Sequence, residues 1–420
     1  MRKLLSLMLI AVVIFGAATL QGRASKAADK VTITFWDTAN DTEQPVMKEM
    51  VADCMKANPN LDISYVPIVF DEGQTKFNTA AQANNAPDVM RAEIAWTPQF
   101  ADAGYLADIT AKVSKDDLAD FLPAPLAYNM YKGKEYGIPQ VTDAPAFLYN
   151  KAEFKAAGLD PENPPKTMDD FVKAAQALTK ADGSQWGFIL NGGSYFFQPF
   201  MWAFGGGLID NDLKIHIADK GTIDAFHFVL DLRDKYKVMP KDFDSANQYT
   251  NAMTAFKAGK AAILFNGPWA TTEILGGDVF KGHPENLGIA PIPAGPDGKQ
   301  GSPVGGHNYV IYAGSPNIDA AYTFIACMDS APEQVKQAKA NNTLPTRQSA
   351  YKDPTLAKNP VTQGFLTQMK VATNRPVIPA GGQIYTSFDK HFSAVMTGIE
   401  TPEVAVKAIE TDWKALLAQK

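Results

Sequence analysis

Three short apolar strands separated by helices open the folded part of this chain, and they limit what it can become. Val31 to Trp36 (VTITFW) alternates threonine with larger apolar side chains, the period of a strand. From Thr42 to Asn58 the apolar residues Val46, Met50, Val51, Cys54 and Met55 fall on one helical face. Leu61 to Val66 alternates again, and Phe77 to Asn85 reads as a helix. Ala86-Pro87-Asp88 then breaks the chain before a buried strand through Val89 and Met90. Strand, helix, strand, helix, strand is the order of an α/β layer fold, and it predicts a largely parallel sheet.

Such folds present ligand-contacting side chains where strands end. Asp37 to Asp41 is a polar loop at the first strand's exit, so Asn40 and Asp41 are candidates for a ligand or for a turn and helix cap. Thr254 to Ala270 (TAFKAGKAAILFNGPWA) has the same logic. A short helix closes at Phe256, and Gly259 suits a left-handed cap. Ala261 to Phe265 reads as a buried strand, Asn266-Gly267-Pro268 stops it, and Trp269 stands at the exit as a ligand platform or a core residue. In Trp186 to Gly207 most of Phe196, Phe200, Met201 and Trp202 are expected in the core. Tyr195, at a helix start, is the better candidate for ligand.

With 420 residues the chain is too long for one ordinary core, so two lobes are expected. A hydrophobic content of 46% with 20% charged residues is that of a folded soluble protein. A net charge of −6 argues against nucleic acid as partner, because phosphate binding needs a basic surface. Residues 1–27 read as a secretory signal peptide: Arg2 and Lys3, then an uncharged apolar run from Leu4 to Leu20, then Ser25 and Ala27 ahead of a cut after Ala27. No cysteine lies near that cut, so a lipid anchor is not expected. The two cysteines, Cys54 and Cys327, sit on helical stretches far apart in sequence, and two buried free thiols are expected rather than a disulfide.

Several longer motifs run in a fixed order. Pro87-Asp88-Val89 is followed by Glu93, Trp96 and the helix end Phe100 to Leu106. Tyr136-Gly137-Ile138-Pro139 precedes Asp143 and Tyr149-Asn150-Lys151. Pro165-Lys166-Thr167-Met168-Asp169-Asp170-Phe171 starts a helix with Thr167 as N-cap. Gly305-Gly306-His307 and Leu344-Pro345-Thr346-Arg347 complete the set, ahead of the stretch Arg375-Pro376 to Tyr385 and an amphipathic C-terminal pair of helices, split at Gly398 and restarted at Thr401-Pro402-Glu403 with proline at the first helical position. With F-x-x-G-K-A-A and G-P-W around Trp269, this order resembles the extracellular solute-binding proteins of carbohydrate ABC transporters, and among them the maltose-, maltodextrin- and trehalose-binding types. Met168 replaces a usual tryptophan, and His307 stands where some relatives carry tryptophan.

The resemblance implies a type II-like periplasmic-binding-protein fold, with two α/β lobes joined by three crossings and the ligand between them. It places residues 28–141 and 304–346 in an N-lobe, and 142–303 and 347–420 in a C-lobe. It implies an oligosaccharide ligand, a membrane-embedded permease as partner, a monomer, and no cofactor. Glu93 and Asp143 would bind sugar hydroxyls; Trp96, Trp269, Tyr195 and Tyr385 would stack on sugar faces; Gly306 and His307 would line the cleft. Charged groups bind hydroxyls with strong hydrogen bonds, which suits a sugar. Catalytic signatures such as G-x-S-x-G, H-E-x-x-H and a P-loop do not occur, and the five histidines have no metal-like spacing. The readings that stay open are an α-glucoside receptor, a receptor of the same fold for another solute, and an extracellular glycoside-active enzyme with an acidic pair.

Overall fold

The computed structural model describes residues 30–210 and 212–418. The expected signal peptide and its cut after Ala27 lie outside the described residues. Eleven strands are described: β1 (Val31–Asp37), β2 (Leu61–Pro67), β3 (Val89–Glu93), β4 (Met130–Tyr131), β5 (Lys134–Glu135), β6 (Gly137–Asp143), β7 (Ala146–Asn150), β8 (Ile263–Asn266), β9 (Leu287–Ala290), β10 (Gly305–Ile311) and β11 (Leu344–Pro345). Six of them form one sheet in the order β11-β6-β10-β3-β1-β2, and three form a second in the order β8-β7-β9. Each sheet carries its own core. Phe35, Ile63, Tyr309 and Phe324 belong to the first, and Phe147, Phe265, Phe388 and Trp413 to the second.

The opening strand–helix–strand pattern is as read, but the sheet is less parallel than it suggested. Parallel pairing holds for β2-β1-β3, while β10 runs antiparallel between β3 and β6, and β7 is antiparallel to both neighbours. The reason is the chain's path. It leaves the large sheet after β6, builds the second sheet, and re-enters as β10, so that strand is not delivered by a βαβ crossover. A third passage follows β11. Beyond it, Ile384, Phe388 and Trp413 of the helices Ile384–Met396 and Pro402–Leu417 pack into the second core. The break between those helices is as read, with Gly398 at φ 77° and Thr401 accepting from the Val404 N–H.

Two further expectations are corrected. The second helix runs Phe70–Gln82, seven residues earlier than expected. Gly73 weakens its helical signal, and Val69 and Phe70 are exposed at its start, 62% and 43%, so they add nothing to an inward apolar face. The cysteines are not free thiols: Cys54 and Cys327 form a disulfide with a Cα–Cα distance of 5.8 Å. They sit on the helices Gln44–Ala57 and Ile318–Met328, 273 residues apart in sequence, which share one core through Met50, Val51, Phe324 and Met328. Tertiary packing decides that contact, and sequence spacing gives no sign of it.

Candidate functional site

A cavity of about 800 Å³ lies between the lobes, within the size range of small-molecule sites. Three adjacent strands build one wall. In their register His307 of β10 faces Glu93 of β3, and Gly305 of β10 faces Asp143 of β6. These side chains therefore come together because the strands pair, although they lie far apart in sequence. Gly306 has φ 134°, and a Cβ there would fall 2.1 Å from the Val141 carbonyl oxygen, so this close pairing requires glycine.

An aromatic cluster adjoins these strands. The ring of Tyr195 lies 6.4 Å from Tyr385 and 6.4 Å from Trp269, and Phe196 lies 6.4 Å from Trp269 and 6.0 Å from Tyr249. Tyr195 and Phe196 come from the turn Ser194–Phe196, and Trp269 from the turn Pro268–Ala270 just after β8. Trp269 is held from both sides. Its Nε1–H donates to the Tyr249 hydroxyl at 3.2 Å, and its ring lies so close over Gly267 that a Cβ there would come within 1.9 Å. One aromatic pair stands on the first lobe's side, where Phe70 stacks on Trp96 with ring centres 5.3 Å apart at 30°.

Charge is unevenly placed. Glu93 is engaged: one carboxylate oxygen pairs with Arg375 and the other accepts the Ala95 N–H at 2.9 Å. Arg375 also donates to the Val304 carbonyl at 2.9 Å and lies over Tyr195 and Tyr385, 5.5 and 5.7 Å from the ring centres. Arg91 pairs with Glu43 at 3.2 Å and donates to Gln140 at 2.8 Å. Asp143, by contrast, is 8% exposed and accepts no side-chain or backbone hydrogen bond from the described residues. Burial pushes its pKa up to about 7. Neither ring nitrogen of His307 has a partner among the described residues, and burial together with Arg91 and Arg375 holds this ring neutral.

Of the residues singled out in the sequence, Asn40, Glu93, Trp96, Asp143, Tyr195, Trp269, Gly306, His307 and Tyr385 all line the cavity. Their weights differ. Trp96 is 6% exposed behind Phe70, so Phe70 offers the outer aromatic face. Asn40 spends its side-chain oxygen on the N–H groups of Thr42 and Glu43, the capping alternative. Asp41 is exposed and is not among the lining residues. Sequence reasoning missed Arg375, Phe70, Tyr249 and Arg91. The charge of Arg375, at the start of the stretch that runs to Tyr385, is the one signal that could have drawn attention to it.

The state of Asp143 gives a pH test. Arg375 and Arg91 favour its charged form, while burial, Glu93 and Glu43 oppose it, and near neutrality the carboxyl is part protonated. In the free protein this raised pKa stabilises the fold below the ordinary carboxylate range, and that contribution is lost as pH rises through about 7. A ligand that donates to the carboxylate reverses the bias and expels a proton. Binding at pH 7 is therefore expected to release protons, and affinity to rise from pH 6 to 8. Calorimetry in two buffers of different ionisation heat measures this; Asp143→Asn should abolish the buffer dependence, and equal heats for the parent would contradict it.

Residues 38–335 match the model of the bacterial extracellular solute-binding protein family. The chain is 26% identical over 362 residues to a maltotriose-binding protein of Pyrococcus abyssi, covering 84% of this chain and 75% of that one. It is 36% identical to the GacH receptor of Streptomyces glaucescens, crystallised unliganded and with acarbose and an acarbose homologue; the TM-score is 0.86, covering 93% of this chain and 99% of that one. An ABC transporter solute-binding protein of Thermotoga lettingae bound to α-D-tagatose is 28% identical, with a TM-score of 0.83 over 92% of this chain and 100% of that one. A two-lobe fold with a cleft between the lobes defines the class, and this chain belongs to the bacterial extracellular solute-binding proteins.

Proposed function

We propose that this chain is the receptor of an ABC sugar importer. It captures an oligosaccharide of α-glucoside type, such as maltose, a maltodextrin or trehalose, and delivers it to a membrane permease. One observation carries the reading: an aromatic cluster of Tyr195, Trp269 and Tyr385 shares the cavity with polar groups, Asp143 and His307, that have no hydrogen-bond partner among the described residues. A pyranose presents both complements, C–H faces for the rings and hydroxyls for the polar groups. The maltotriose and acarbose bound by relatives support it. The tagatose-bound neighbour favours a second reading, the same fold serving another sugar. Passage of the chain between sheets near Val141, Pro303 and Thr346 supports hinges there, with 28–141 plus 304–346 closing on 142–303 plus 347–420.

The protein acts by binding rather than catalysis, as a monomer outside the cytoplasmic membrane, without cofactor or nucleic acid. The pairing of Cys54 with Cys327 supports a form that is not lipid-anchored. A panel of sugars tested by thermal melting decides the reading, because a ligand at a hundred times its Kd stabilises by about 2.7 kcal/mol. Maltose, maltotriose or trehalose should raise the melting temperature and be recovered uncleaved. No shift with any saccharide, or shortened products, would overturn it.

Trp269 should supply much of the affinity. An aromatic face that loses water against a sugar contributes about 1–3 kcal/mol. Trp269→Ala is expected to raise Kd roughly 10- to 100-fold, and Trp269→Phe to recover part of that. Titration calorimetry reads the effect, with melts of the free variants as controls. Parent-like binding by Trp269→Ala would return the residue to the core.

A further inference from the structure

Two acceptors converge above Gly305. A Cβ on that residue would lie 2.2 Å from Asp143 Oδ1 and 2.6 Å from the Tyr195 hydroxyl oxygen, so both atoms crowd one point of the wall. The Tyr195 O–H points to the Pro303 carbonyl at 3.4 Å, which leaves the phenol oxygen as an acceptor. Asp143 is more than nine-tenths buried and accepts nothing from the described residues. A sugar hydroxyl has one hydrogen to donate and cannot serve both atoms, whereas a protonated amine donates two or three and brings the missing charge.

The surrounding charge points the same way. Among the described residues five carboxylates and two guanidiniums line the cavity, and no lysine does. Both guanidiniums are paired elsewhere, Arg91 with Glu43 and Arg375 with Glu93, and neither bonds directly to Asp143. The neutral ring of His307 adds no competing charge. A buried carboxylate without a counter-ion is costly, and a cationic ligand removes that cost on binding.

We propose that the cleft is built for a basic sugar, an oligosaccharide or pseudo-oligosaccharide whose protonated nitrogen seats between Asp143 and Tyr195. This rests on the sugar-receptor reading and narrows its substrate class.

The test is titration calorimetry at pH 7 with maltotriose, with maltotrioses in which one hydroxyl at C2 or C6 of each ring in turn is replaced by a primary amine, and with their N-acetylated forms. At least one amine should bind about tenfold tighter than maltotriose, since hydrogen bonds to charged groups outweigh neutral ones by about that factor. N-acetylation should erase the gain, and in Asp143→Asn the amine-to-maltotriose ratio should fall to about one. If maltotriose binds as tightly as every amine, the cleft is not selective for a basic sugar and the proposal fails while the receptor reading stands. If no saccharide of the series binds, the receptor reading falls and takes this one with it.

Discussion

Removing the Cys54–Cys327 bridge is expected to lower the unfolding free energy by about 2–5 kcal/mol. The bond closes a loop of 273 residues that contains the whole excursion through the second sheet. Loop-closure entropy grows only slowly with length, but a loop this long places the effect toward the upper end. Both cysteines lie on helices that cover the six-stranded sheet. The effect should therefore fall on the unfolding of that lobe. Urea unfolding of Cys54→Ala with Cys327→Ala, followed by probes in each lobe, should show the first lobe melting earlier and the second little changed. Coincident transitions at the parent's midpoint would show that the bridge adds nothing to stability.

Arg375→Met should be nearly as costly. The guanidinium side chain is 3% exposed and that of Glu93 12%, so removing the cation leaves a carboxylate in a poorly hydrated place without its partner. Breaking a buried pair from one side costs about 3–5 kcal/mol. The substitution also takes away the cation that lies over Tyr195 and Tyr385 and the donor to the Val304 carbonyl. Chemical unfolding of the ligand-free protein measures the loss. Arg375→Met combined with Glu93→Gln should recover most of it, because the stranded charge is then gone. A loss below about 1 kcal/mol in the single variant would mean that water reaches Glu93 freely, as at an exposed ion pair.

These two sites mark where the sequence stopped being legible. Local period was enough for β1, the helix Gln44–Ala57, β2 and β3, because each signals itself within a dozen residues. It also served at Gly398 and Thr401, where backbone chemistry acts locally. Trp269 stood out because it follows a strand, and Asp143 and Glu93 because they stand in motifs that resemble those of the solute-binding proteins; all three lie at strand ends that meet at the cleft. Arg375 carries no such mark. It reaches the site from a stretch with no helical or strand period, and its partner Glu93 lies 282 residues away. Phe70 escaped because it is exposed at a helix start, outside the inward apolar face. The antiparallel β10 and the disulfide are both products of the chain's return from the second lobe, which no local window contains.

A crystal structure of the protein with its tightest sugar from the melting panel tests the central claim most directly. The sugar is expected between the lobes, one ring face against Trp269 and its polar groups donating to Asp143, within the cavity lined by Tyr195, His307 and Tyr385. A sugar bound at saturation anywhere else on the molecule, with that cavity filled by solvent alone, would contradict it.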